Sequence, residues 1–193
     1  MLEWRLGGVQ LRISLLFPAL LTALLFLQPE GVAVSCVLAS VMHECGHLLV
    51  MLLLRCPPER CTLGAFGMRL EIGQRHLPGY RKNLLISLAG PAVNAAAAGL
   101  LWAVGCRRAA VVHLVLCVFN LLPAQPLDGG EILYCLFCLH FSPQRASRFV
   151  RGISFAVLLP LALLAAITAV SRHGNGTLLV VGVYLFYLLL AQQ

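Results

Sequence analysis

Residues 32–54 read VAVSCVLASVMHECGHLLVMLLL, an apolar run that carries His43, Glu44 and His47 in the stretch HECGH. Such a run meets the length of about 20 residues that a helix needs to cross a bilayer. Lipid offers the backbone no hydrogen-bond partner, so the segment must pair its own N–H and C=O groups as a helix. An ionisable side chain near mid-membrane costs about 2.5–3.5 kcal/mol on insertion scales. Three of them together imply a ligand or a partner that offsets the cost.

The rest of the chain agrees with a membrane setting. It has 193 residues, 60% hydrophobic and 11% charged, where soluble domains are about 45–50% apolar and about 25% charged. No polar stretch is long enough for a separate soluble domain. The fold class expected is an all-α membrane protein of six transmembrane helices, at roughly 13–28, 32–54, 84–104, 109–124, 153–171 and 177–192. The N-terminal MLEWRLGGVQLRIS lacks a cleavage-site pattern after a short apolar core, so 13–28 reads as a retained span. The net charge of +7 has no basic cluster with interleaved aromatics, which excludes nucleic acid as a partner.

Basic residues set the orientation. With the N-terminus inside, every Lys and Arg except Arg107, Arg108 and Arg172 falls on the cytosolic side, and both termini are cytosolic. Two surface features interrupt the apolar pattern. WRLGGVQLRI reads as two short strands about Gly7-Gly8, and residues 61–73, punctuated by Gly64, Gly67 and Gly73, read as a β-hairpin. The two hairpins are expected to share one small cytosolic-side sheet. Residues 131–150 read as a mildly amphipathic connecting helix. Cys36, Cys45, Cys106 and Cys117 suit small hydrophobes. The CLFC at 135–138, beside His140, has no second pair to complete a zinc site.

HECGH is an H-E-x-x-H pattern on a helix. His43 and His47, four residues apart, lie on one face about a turn from each other and can share one Zn²⁺. Glu44 projects beside the metal, where a carboxylate can serve as general base. Gly46 leaves room for another helix to approach. Catalytic zinc needs a third protein ligand, and Asp128, His113 and Glu131 are the ionisable residues left at membrane depth. Asp128 is favoured, because NLLPAQPLDGG (120–130) must break its helix and can point a carboxylate inward. His113 suits an interior hydrogen-bonded histidine, and Glu131 the start of the next helix.

HECGH in the second span, SLAGPAVN in the third and NLLPAQPLDGG after the fourth together resemble the site-2 protease family of intramembrane zinc metalloproteases. The resemblance covers 1–193, most specifically 43–131, and is to the compact bacterial branch that includes a sporulation-factor processing protease. It implies His43, His47 and Asp128 as ligands of one Zn²⁺ and Glu44 as catalytic acid/base. It also implies Asn94, in Gly90-Pro91-x-x-Asn94, as a residue that holds substrate or intermediate. One departure is Ala65-Phe66-Gly67-Met68, where the family often has P-F-G-G. Phe66, Gly67 and Met68, in the Gly-punctuated stretch 61–73, are the expected substrate-binding strand. A single protease domain is expected over 1–193, its catalytic core at about 32–131, with no PDZ or CBS domain. The implied partners are a membrane-bound protein substrate, such as a tethered transcription factor or pro-protein, the lipid bilayer, and a regulatory membrane partner.

Two other classes fit parts of this pattern. A metal transporter also needs mid-membrane ionisable groups, but strung along a path rather than gathered in one cluster. An inactive membrane scaffold has no use for the buried His43, Glu44, His47 and Asp128.

Overall fold

The computed structural model describes residues 2–6, 9–13, 31–64, 67–73 and 78–170. The chain forms two compact units, Met1–Val118 and Phe119–Gln193. Of the six expected spans, 13–28 and 177–192 lie outside the described residues. Among the described residues, three helices are long and apolar enough to cross a membrane: Val32–Leu53, Tyr80–Ala103 and Pro143–Thr168.

The first unit holds a four-stranded sheet in the order β1 (Leu2–Leu6), β2 (Val9–Ile13), β3 (Pro58–Gly64), β4 (Gly67–Ile72). β1 and β2 pair antiparallel, as do β3 and β4, so the two expected hairpins do share one sheet. β2 and β3 pair in parallel. A parallel pair requires a long crossover, and here the connection contains helix α1 (Val32–Leu53). Polar side chains tie the strands together. Arg12 Nε meets Glu3 at 2.9 Å, and Arg60 reaches Glu71 at 2.9 Å on one side and Gln10 on the other. β4 lies at the end of the strand order and is an edge.

Helix α1 begins after Gly31, whose φ of 91° suits glycine. It ends in a Schellman motif with Arg55 at φ 57°: Cys56 N–H donates to Met51 O and Arg55 N–H to Leu52 O. Val34, Leu38, Val41, Leu49 and Leu52 of α1 are exposed, as a lipid-facing side requires.

Helix α2 (Tyr80–Ala103) packs on α1 through small residues. A Cβ at Gly46 would come within 2.9 Å of Ala89 O and Val93 Cγ2, so only glycine permits this approach. Helix α3 (Arg107–Asn120) has 14 residues, too few for a bilayer crossing by themselves. It buries Ala110, His113 and Cys117 along one face.

In the second unit, the segment after α3 contains Pro123 and Pro126 and leads into α4 (Asp128–Cys138). Gly129 and Gly130 let that segment fold tightly over the start of α4. A Cβ at Gly129 would lie 2.3 Å from Leu121 O, and one at Gly130 would lie 2.5 Å from Gln125 N. Gln125 N–H donates to Ser154 Oγ at 3.0 Å, and Ala124 packs into a cluster with Leu158 and Ala162. The single connecting helix expected over 131–150 is instead split. α4 ends at Cys138, and α5 (Pro143–Val170) starts before 150 and runs on through the expected fifth span. Pro143 is the reason. It disfavours helical conformation at Ser142 and itself suits the first position of a new helix, with Ser142 O accepting from Arg145 and Ala146.

Candidate metal centre

α1 places His43 and His47 one turn apart, and both are buried against α2, at 6% and 8% exposure. Their rings meet edge to face, and the two Nε2 atoms lie 3.1 Å apart. His47 Nδ1–H donates to the Ile86 carbonyl at 2.7 Å. A carbonyl only accepts, so this bond puts the proton of a neutral His47 on Nδ1 and leaves Nε2 as a bare lone pair. Gly90 sits against the convergence point. A Cβ there would lie 2.4 Å from His47 Nε2 and 2.7 Å from His43 Nε2.

These donors fit a zinc ion. Two nitrogens on a tetrahedral zinc at about 2.0–2.1 Å are roughly 3.3 Å from each other, close to the separation observed. The fixed Nδ1–H of His47 matches the outer hydrogen bond that metal-bound histidines carry.

Beyond the pair lies a buried polar chain. Asn94 of α2, wholly enclosed, contacts His43 Nδ1 at 3.2 Å through Nδ2. Its Oδ1 meets His113 Nδ1 of α3 at 3.1 Å. His113 is thus the hydrogen-bonded interior histidine that its position suggested. Asn94, expected to hold substrate, has both ends of its amide engaged by imidazoles. Nothing in the sequence pairs Asn94 with His113; the only signal was a polar residue in each of two apolar helices.

Glu44 is half-buried beside the pair. Burial raises the Cys61 thiol of β3 above its ordinary range, and the Glu44 charge raises it further, which links Glu44 electrostatically to the sheet. Gly67 and Met68 open β4, paired with Gly64 and Leu63. Phe66 lies outside the described residues. Asp128 is half-buried in the first turn of α4, in the second unit, with Glu131 in the same turn. The cysteines are all free thiols.

No protein-family model matches the chain. The fold is that of a site-2 protease: the chain matches "Site-2 Protease from Methanocaldococcus jannaschii" with a TM-score of 0.74 and 19% identity, covering 99% of this chain and 94% of that one. Among curated proteins it is similar to Stage IV sporulation protein FB of Bacillus subtilis (strain 168), 27% identical over 128 residues. That match covers 60% of this chain and 44% of the relative, less than half the relative's length. The resemblance to the site-2 protease family read from the three motifs is borne out by both similarities, and the chain is a membrane protein.

Proposed function

We propose that this protein is an intramembrane zinc metalloprotease that hydrolyses a peptide bond within or near a transmembrane segment of a membrane-bound substrate. The observation that carries the reading is the convergence of His43 Nε2 and His47 Nε2 at 3.1 Å inside a membrane-crossing helix, with Glu44 beside them. His43, His47 and Asp128 would hold the ion. Asp128 is assigned from its place at the start of α4, directly after a Pro-broken segment, and from the motif it completes. One protease domain over 1–193, with both termini cytosolic, is part of the same proposal.

Zinc, when bound, supplies Lewis acidity that activates water and polarises the scissile carbonyl. Glu44 takes the proton of the attacking water and delivers it to the leaving amine, the two duties of one general acid/base. A helical substrate hides its peptide bonds in its own hydrogen bonds, so it must unwind before cleavage. Edge strand β4, which Gly67 and Met68 open and Phe66 precedes in the sequence, captures the unwound segment by strand addition.

The test uses the full chain in proteoliposomes with a single-span model substrate and zinc measured by atomic absorption. Glu44→Gln is expected to keep zinc and lose turnover, while His43→Ala and Asp128→Ala lose both. A fully active Glu44→Gln protein would overturn the protease reading.

A further inference from the structure

We propose that His113 is a positioning residue of the metal site: by pairing with the far end of the Asn94 amide in either orientation, it allows His43 the tautomer whose Nε2 can bind a metal. The inference rests on the metalloprotease reading. His47 owes its tautomer to a backbone carbonyl, which cannot change role. His43 Nδ1 faces a side-chain amide, and an amide can present either its oxygen or its nitrogen.

The two orientations of Asn94 have opposite consequences. With Nδ2 toward His43, that ring must accept at Nδ1 and carry its proton on Nε2, which points at His47 Nε2, 3.1 Å away. This arrangement closes Nε2 of His43 to a metal. Ligation requires the reverse: a proton on Nδ1, donated to the amide oxygen of Asn94. The amide nitrogen then faces His113 Nδ1, which must accept, so the proton of His113 moves to Nε2.

A neutral histidine can serve both arrangements, and an apolar residue can serve neither. Asn94 is 0% exposed and His113 4%, so solvent does not replace the missing partner. An apolar residue at 113 leaves one end of the amide buried without a partner in either orientation, so nothing holds its oxygen on His43. The chain His43–Asn94–His113 joins α1, α2 and α3 within the first unit. It gives His43 what the Ile86 carbonyl gives His47.

Zinc affinity, measured by chelator competition on the full chain in nanodiscs, tests this without turnover if every variant also carries Glu44→Gln. His113→Phe is expected to weaken zinc about 10–100-fold, the usual range for an outer partner of a metal ligand, while His113→Gln stays within about threefold. Histidine-selective ¹⁵N spectra of the zinc-loaded parent should show His113 protonated on Nε2. Parental affinity in His113→Phe, equal weakening in His113→Gln, or a His113 proton on Nδ1 with zinc bound would each overturn the proposal. His47→Ala separates the two readings. If it still binds zinc like the parent, the metal site itself is wrong; if it loses zinc while His113→Phe does not, only the positioning role is.

Discussion

Gly90→Ala adds one methyl group at the point where the two imidazoles converge. Its Cβ would lie 2.4 Å from His47 Nε2 and 2.7 Å from both Cε1 and Nε2 of His43, against 3.4 Å for ordinary contact. The rings must retreat by up to about 1 Å, which is overpacking of the kind that costs about 1–3 kcal/mol. Alanine in a helix interior returns only about 0.5–1 kcal/mol relative to glycine. The fold therefore survives with a net loss of about 1 kcal/mol, while the site does not. Moving His47 also pulls Nδ1 off the Ile86 carbonyl, and a misplacement of about 1 Å costs on the order of 100-fold in rate. Zinc content, thermal unfolding in detergent and cleavage of a single-span substrate are measured together. Gly99→Ala on the same helix is the control, since a Cβ there meets nothing within 4 Å. It should stabilise slightly and cleave normally. A Gly90→Ala protein with full zinc and full turnover would refute the placement of the site at this helix contact.

Cys61 offers a pH readout of Glu44. Its thiol titrates above the ordinary range, so alkylation by iodoacetamide should rise only at a pH above that of a free thiol. Because the folded state favours the neutral thiol, Cys61 contributes stability that is present below the ordinary thiol pKa and lost as pH rises through the raised one. Glu44→Gln removes the smaller of the two causes and should shift the alkylation profile part of the way down; an unshifted profile would deny the proximity. On the neighbouring edge strand, Met68→Pro removes one backbone donor and should reduce cleavage at least about tenfold with zinc content unchanged. Met68→Ala, which keeps the backbone, should cleave normally, and an active proline variant would remove β4 from substrate capture.

The histidine pair of the candidate site was legible because it is local. An i, i+4 histidine pair with a glutamate between is fixed by helical geometry alone, and an apolar run of bilayer length permits only a helix. The two hairpins were legible for the same reason, each being a pairing of strands close in the sequence. The split between α4 and α5 was also written locally, at Pro143, yet the mild amphipathic pattern across 131–150 concealed it. What the tertiary structure alone decided are contacts between residues far apart in the chain. The parallel pairing of β2 with β3, the Ile86 carbonyl that sets the tautomer of His47, and the link from Asn94 to His113 are such contacts, and the second depends on how closely α1 and α2 approach. That approach is governed by what is missing at Gly46 and Gly90. A sequence shows a glycine there but not which neighbour occupies the space its absent side chain leaves.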